Sequence, residues 1–145
     1  MKTLKILSPL HRATRQIHLY LEQEIGEFGV SNSEGHLLTY LLSYAPTSIG
    51  ELNRVFGFKR STMTSILDRL EQAGLLERIP NPRDRRSWLV ELTAGGRTIA
   101  MEIRKILDRF EGMISAKLSA TTMAEFQRVI DTVGEETAVE VRKKD

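Results

Sequence analysis

The 145-residue sequence predicts a mainly α-helical fold with one small β-hairpin. Two observations predict this fold class. Apolar residues recur at helical spacing along six stretches of the chain, and two short runs typical of β-strands, residues 75–79 and 88–92, are joined by a turn rich in arginine. No repeat and no long Pro/Gly-rich linker divides the sequence, so we expect one domain over residues 1–145.

The composition excludes several classes of protein. Cysteine is absent, which removes disulfides, thiolate metal sites and thiol-based redox sensing. The first residues do not form a secretory signal, and no stretch approaches the roughly 18 apolar residues of a membrane span, so we expect a cytoplasmic protein with no membrane partner. The sequence has no phosphate-cradling glycine loop, HExxH motif or nucleophile elbow, which argues against an enzyme.

The first helix is expected over residues 9–28. Pro9 suits a first helical position, and Gly29 ends the helix. Between them, apolar residues recur at a spacing that places them on one helix face. These residues are Leu10, Ala13, Ile17, Leu21, Ile25 and Phe28.

The second and third helices are predicted from their caps. A serine followed three residues later by glutamate is a capping-box signature, and it occurs twice, each time before apolar residues at helical spacing. Pro46 closes the second helix, and Gly57 suits the tight turn after the third. The two capping pairs are Ser31 with Glu34 and Ser48 with Glu51.

A fourth helix is expected over residues 59–73, and its two faces differ. Apolar residues at i, i+3, i+4 and i+7 from Met63 form a face that packs on a core. The opposite face begins with short hydroxyl side chains and one arginine, which suit the N-terminal end of a recognition helix in a DNA major groove. A solvated helix face is the alternative interpretation. The candidate DNA-binding residues are Arg60, Ser61, Thr62, Thr64 and Ser65.

The hairpin follows Gly74, a natural helix C-cap, and its tip predicts the wing of a winged helix. Arginine favours narrow minor grooves and pairs with phosphate in a fixed fork, so Arg83, Arg85 and Arg86 are further candidate DNA-binding residues. Asp84 is expected to orient an arginine side chain, that of Arg86. The alternative is a charged turn that merely caps a sheet edge.

Positive charge is concentrated in the middle of the sequence. The formal net charge is only +2, which does not by itself indicate nucleic-acid binding. Between residues 47 and 90, eight basic residues stand against five acidic ones, and such a local excess attracts phosphate. The eight are Arg54, Lys59, Arg60, Arg69, Arg78, Arg83, Arg85 and Arg86.

Two further apolar stripes follow Thr93 and Ser119, the expected N-caps of a fifth and a sixth helix. A small DNA-binding part over residues 46–93 cannot cover both stripes and that of the first helix. We therefore expect residues 1–30 and 94–145 to form dimerisation helices that pair two copies of the chain. A monomer with an appended helical bundle is the alternative. The stripes consist of Ile99, Ile103, Ile106, Leu107, Phe110 and Ile114, and of Met123, Phe126, Ile130 and Val133.

Three histidines are candidate metal ligands or pH switches. His11 and His18 share a polar stripe of the first helix, and His36 lies on the second. Arg15 stands between the first two and opposes a cation, and no cysteine is available as a ligand. We therefore expect no metal site and interpret the stripe as an ordinary polar or interface surface.

The hairpin region resembles a known family. Asp84, Arg86, Leu92 and Thr93 follow the wing pattern of the MarR family of bacterial winged helix-turn-helix regulators. Residues 68–87, DRLEQAGLLERIPNPRDRRS, resemble that family's recognition-helix exit and wing entry. The helices on either side are similar in layout, so the resemblance covers nearly the whole chain.

The resemblance implies a homodimer with two wings and two recognition helices on double-stranded DNA. It implies that Arg86 enters a minor groove and that Ser61, Thr62 and Thr64 lie near bases or phosphates. It further implies release by a small molecule, often phenolic or aromatic, bound between the DNA-reading and dimer-forming parts. In this chain that region would involve the first two helices and the start of the fifth.

The sequence thus predicts a dimeric winged helix-turn-helix regulator that represses transcription from a pseudo-palindromic operator. Neither a cofactor nor a metal is required by this function. The alternative from another class is a winged helix that acts as a protein-interaction module or antirepressor, in which the basic wing binds an acidic partner.

Overall fold

The computed structural model describes residues 3–141, which form six helices and a three-stranded antiparallel sheet. The predicted terminal segments 1–30 and 94–145 therefore extend beyond the described residues. The elements are α1 (Leu7–Gly26), α2 (Asn32–Tyr44), β1 (Thr47–Ser48), α3 (Ile49–Phe56), α4 (Arg60–Gln72), β2 (Leu76–Pro80), β3 (Trp88–Leu92), α5 (Ala94–Ser115) and α6 (Ala120–Thr137).

The predicted class, mainly α with a small β-hairpin, is confirmed, but the predicted bounds of the first helix were wrong by two residues at each end. The helix spans Leu7–Gly26, so Pro9 is its third residue rather than its first. Proline is tolerated there because the first four N–H groups of a helix have no intrahelical acceptor. Gly29, with φ of 72°, completes the turn that leads to α2.

The third strand of the sheet is one that the sequence did not predict. β1, Thr47–Ser48, pairs antiparallel with β3, and the strand order is β1, β3, β2. Two residues are too few to show the alternation that predicts a strand. The predicted hairpin is confirmed, although β2 lies one residue later than expected and ends at Pro80.

The two predicted capping boxes differ in the structure. At α2 the box is complete, because Glu34 donates its N–H to Ser31 Oγ at 3.2 Å and Ser31 donates its N–H to Glu34 Oε2 at 3.0 Å. At α3 only half of it forms. Ser48 Oγ accepts the N–H of Glu51 at 3.1 Å, but the Glu51 carboxylate pairs with Arg54 instead of the Ser48 N–H.

The core lies around α2, which packs against α1, α5 and β3. Leu37, Leu38 and Leu41 of this helix are fully buried. The predicted core face of α4 is confirmed, since all four of its apolar residues are buried. They are Met63, Ile66, Leu67 and Leu70.

The sheet runs into α5 without a linker. Thr93 directly follows β3 and is the N-cap of α5, where its hydroxyl oxygen accepts the N–H of Gly96 at 3.0 Å and the hydroxyl donates to the carbonyl of Gly74 at 2.6 Å. A Cβ added at Gly96 would lie 1.6 Å from the carbonyl oxygen of Leu75. The start of α5 is therefore pressed against the backbone that joins α4 to β2.

Much apolar surface remains exposed on the terminal helices. No residue of α6 is buried, and Phe126 is 52% exposed. An apolar groove of about 610 Å³ lies between α1, α5 and α6, and Ile17, Tyr20 and Ile114 are among its lining residues. Within residues 3–141, none of the helices has the length and apolar composition needed to cross a membrane.

Candidate nucleic-acid interface

A tight turn joins α3 to α4. Gly57 follows α3 in the left-handed conformation, with φ of 64° and ψ of 20°, which glycine adopts at little steric cost. Lys59 is the N-cap of α4, and its side chain makes no capping hydrogen bond. Two helices joined by three residues in this way form a helix-turn-helix, in which the start of the second helix faces outward.

The five predicted residues at the start of α4 all lie on its exposed face. Thr64 Oγ1 donates a hydrogen bond to the carbonyl of Arg60 at 2.9 Å, so its hydroxyl proton is engaged within the helix. The other hydroxyl side chains of this face make no hydrogen bond in the described part of the chain. The exposed residues are Arg60, Ser61, Thr62, Thr64 and Ser65.

The wing tip is held by its own polar side chains. Asn81 Nδ2 donates to Ser87 Oγ at 2.9 Å, and Asn81 Oδ1 accepts the N–H of Arg83 at 3.0 Å. These bonds close the loop and leave the arginine side chains outside it. Arg83, Arg85 and Arg86 are all exposed, and within residues 3–141 none of them pairs with a carboxylate.

Asp84 contacts Arg86 as predicted, but through a different atom. Its Oδ1 accepts the backbone N–H of Arg86 at 3.0 Å, and its backbone carbonyl accepts the N–H of Ser87 at 3.1 Å. The expected contact with the Arg86 side chain is absent among the described residues. An aspartate followed by such a bond two residues on is an Asx-turn, which fixes the backbone of the tip and leaves the guanidinium free.

Three members of the predicted positive cluster are neutralised by nearby carboxylates. Arg54 pairs with Glu51, Arg69 contacts Glu34, and Arg78 binds two carboxylates of α4. The remaining positive charge is concentrated at two places, the start of α4 and the wing tip. The basic residues there are Lys59, Arg60, Arg83, Arg85 and Arg86.

Arg78 joins the wing to α4, a role that the sequence reasoning missed. Its guanidinium lies 2.7 Å from Asp68 Oδ1 and also pairs with Glu71, and its side chain is only 20% exposed. Two carboxylates on one guanidinium fork set the distance between β2 and α4. The pairs join residues seven and ten positions apart across a helix end, so no helical spacing could indicate them.

The three histidines lie on α1 and α2, and one of them joins these two helices. His18 Nδ1 lies 2.9 Å from Asn32 Nδ2, which links α1 to the start of α2. Burial lowers the pKa of His36 from its ordinary value, and the nearby His18 lowers it further. In residues 3–141 no three histidine, aspartate or glutamate side chains are placed to hold a metal ion together.

A cavity of about 350 Å³ lies between α2, α3 and the middle of α5. Its lining combines aromatic rings with His36 and with Arg104, whose guanidinium pairs with Asp108 at 2.7 Å. The region expected for an effector involved α1, α2 and the start of α5. This cavity shares α2 with that region, but its other lining residues belong to α3 and to the middle of α5, residues 104 and 107.

Aromatic rings connect this cavity to the start of α4. The Tyr40 ring packs edge-on against Phe56, with centroids 5.6 Å apart, and Phe56 stacks on Phe58 at 5.7 Å. Phe58 is two residues before Arg60, the first residue of α4. Packed rings therefore run from the cavity to the turn that precedes the predicted recognition helix.

The helix-turn-helix and the hairpin beside it define a winged helix-turn-helix protein. A sequence profile of the MarR family matches residues 30–88. An HTH-type transcriptional repressor of Mycobacterium tuberculosis is 30% identical over 95 residues, which cover 65% of this chain and 68% of the relative. The chain belongs to the MarR family of transcriptional regulators, which are not enzymes.

Other comparisons extend over more of the chain. The HTH-type transcriptional regulator BilQ of Clostridioides difficile is 26% identical over 127 residues, covering 87% of this chain and 86% of the relative. A crystal structure of a variant of MarR from Escherichia coli complexed with operator DNA superposes with a TM-score of 0.77 at 24% identity, covering 90% of this chain and 94% of that one. This structural likeness shows that the fold is shared.

Proposed function

We propose that this protein is a homodimeric repressor that binds double-stranded operator DNA and releases it when a small aromatic ligand binds. The observation that carries DNA binding is the pair of exposed, unneutralised positive clusters at the start of α4 and at the wing tip. A helix and a basic hairpin side by side suit a major groove and the adjoining minor groove. The operator complex of the structurally similar MarR supports the proposal.

The side chains have separate roles in this proposal. The hydroxyls of Ser61, Thr62, Thr64 and Ser65 meet base edges or phosphates, and Arg60 lies beside them at the helix start. Because the Thr64 proton is bound within the helix, its hydroxyl is left to accept a hydrogen bond and its methyl to contact bases. At the wing, Asp84 fixes the backbone, and the three tip arginines, Arg83, Arg85 and Arg86, enter the minor groove or pair with phosphate.

The exposed apolar surface supports the homodimer. In a single chain, the apolar groove between α1, α5 and α6 and the apolar residues of α6 are exposed to solvent, as at the surface of an unpaired interface. Pairing of residues 1–30 and 94–145 from two copies would cover them and bring two recognition helices onto one duplex. Both the dimer and a cytoplasmic location remain predictions.

We expect the protein to sediment as a dimer and to select pseudo-palindromic fragments from genomic DNA, with half-sites about one helical turn apart. Because several phosphates are neutralised per dimer, affinity should fall by orders of magnitude between about 50 and 200 mM salt. Analytical ultracentrifugation and gel shifts on the selected fragments measure both. A micromolar monomer, or affinity that is flat with salt, contradicts the proposal, and failure to bind any fragment favours a protein-interaction module or antirepressor.

The cavity between α2, α3 and α5 is the proposed effector site. Arg104 pairs with the exposed Asp108 at 2.7 Å and would exchange that partner for a ligand carboxylate, and Tyr40 and Phe56 supply rings for stacking. His36, whose pKa is lowered, is neutral at pH 7 and offers a hydrogen bond rather than a charge. A ligand releases DNA only if it binds the DNA-incompetent arrangement of the dimer more tightly, and a tenfold release needs about 1.4 kcal/mol of that preference.

We expect millimolar or lower concentrations of small aromatic acids such as salicylate to displace the operator from the wild-type dimer without unfolding it. Arg104→Gln should shift the required concentration upward about tenfold, because it removes the cation of the cavity. Lys105→Gln is the matched control, since Lys105 is the next residue, is exposed and lies outside the cavity lining.

Operator displacement is measured by fluorescence anisotropy at fixed pH. Equal responses of the two variants contradict this assignment of the cavity. Release that follows pH alone, without ligand, supports instead the protonation of His11, His18 or His36 as the trigger.

A further inference from the structure

Glu34 is the one charged side chain that is buried among residues 3–141, with 1% of its surface exposed. It lies in the first turn of α2, where Oε2 accepts the N–H of Ser31 at 3.0 Å. Its other oxygen, Oε1, contacts the guanidinium of Arg69 in the last turn of α4. A buried carboxylate is costly unless it is paired, so this contact ties the two helices together.

The position of the Glu34–Arg69 pair within the fold suggests a structural role. α2 packs against α1 and α5, which carry the exposed apolar surface assigned above to the dimer. α4 carries the proposed DNA-reading face. On its wing side, α4 is held by Arg78, through Asp68 and Glu71. Glu34 thus holds the same end of the helix from the dimer side.

We propose that Glu34 is a positioning residue for DNA recognition, which sets the angle of α4 relative to α2 and α5 through Arg69. The inference rests on the proposed DNA binding. Arg69 has an exposed side chain, 61% of its surface, but its one charged partner in the described part of the chain is Glu34. An arginine held in this way serves to orient the helix, whereas an arginine that binds phosphate directly would act independently of Glu34.

Glu34→Gln distinguishes a positioning role from a purely electrostatic one, because the two roles predict opposite changes in DNA affinity. Glutamine at this position retains the capping box, so the start of α2 should still form. Removal of a negative charge alone should strengthen DNA binding. Loss of the contact with Arg69 instead allows the angle of α4 to vary. We therefore expect affinity for the selected operator to fall about five- to tenfold, with affinity for nonspecific DNA unchanged.

Glu125→Gln is the matched control. It also removes one negative charge and breaks an ion pair, the one with Arg128, but that pair lies within α6 and joins no two elements. We expect this variant to bind the operator at least as well as wild type. Operator affinity of Glu34→Gln equal to or above wild type overturns the inference.

Arg69→Gln and the double variant complete the test. If Arg69 acts only through Glu34, the double variant should bind the operator no more weakly than Glu34→Gln, and the slope of log affinity against log salt should match wild type. If Arg69 contacts phosphate, the double variant binds more weakly still and the slope falls by about 1 per protomer, or about 2 for the dimer. That result overturns the positioning role.

The angle of α4 can also be measured without DNA. Because the chain has no cysteine, spin labels can be placed by Ser65→Cys in α4 and Lys105→Cys in α5, both exposed positions. In labelled protein diluted with unlabelled protein, we expect Glu34→Gln to broaden the distribution of distances between the labels. An unchanged distribution overturns the inference even if wild type binds no DNA, so its failure and that of the proposed function are distinguishable.

Discussion

Gly96→Ala should unfold the protein or destabilise it by about 3 kcal/mol or more. The added Cβ would lie 1.6 Å from the carbonyl oxygen of Leu75, and the positions of both atoms are fixed by backbone that cannot move without displacing a helix or a strand. The N–H of Gly96 is also the donor that Thr93 uses to cap α5. Relief of the overlap would therefore shift α5 away from the wing. Urea unfolding followed by circular dichroism measures the change.

Gly95→Ala is the control for this prediction. The neighbouring glycine is also in the first turn of α5, but a Cβ there would come no closer than 3.7 Å to any neighbour. Because alanine is a better helix former than glycine, stability should be unchanged or raised by up to about 1 kcal/mol. Similar stabilities for the two variants would show that the approach of α5 to the Leu75 carbonyl is not as close as described.

Arg86→Ala should weaken operator binding by about 1 to 3 kcal/mol per wing. With one wing from each protomer, the combined loss is at least about 30-fold, provided that the two sites act independently. The reason is that this guanidinium is exposed and unpaired, while its backbone is fixed by Asp84, so the side chain is available for a groove or for phosphate. Gel shifts at fixed salt measure the loss.

Lys117→Ala is the charge-matched control. Lys117 is exposed and lies just beyond the end of α5, a helix of 22 residues that begins beside the sheet. A helix of that length is about 33 Å long, so Lys117 is far from the wing. Its removal should change affinity little at moderate salt. Equal losses for the two variants would mean that overall charge, and not the wing tip, determines binding.

The chain's local features were predictable because they depend on residues close together in sequence. Ser31 and Glu34 form their capping box within one turn, and the apolar spacing from Met63 identified the buried face of α4. The composition of the exposed α4 face followed from the same periodicity, and that of the wing tip from the turn residues between two strand-like runs. The MarR resemblance was carried by short patterns of this kind, and the family match confirms it.

The residues at which helices begin, and the contacts that cap them, were less predictable for a physical reason. Proline is compatible with any position in the first helical turn, so Pro9 indicated a helix start without fixing the residue at which it begins. In the same way, Ser48 and Glu51 matched a capping box, but Arg54 competes successfully for the Glu51 carboxylate. A sequence pattern shows which hydrogen-bond partners are compatible with a residue, but the relative energies of the possible contacts determine which one forms.

By itself, the sequence determined the helices, the hairpin, the family and the residues that present charge and hydroxyls. The tertiary structure decided which of those charges remain free. Arg69 and Arg78 looked equivalent to Arg86 in the sequence, yet Glu34 and Asp68 neutralise the first two and leave the wing tip exposed. Such pairings join residues on different elements, and their distances depend on how the helices pack rather than on any spacing along the chain.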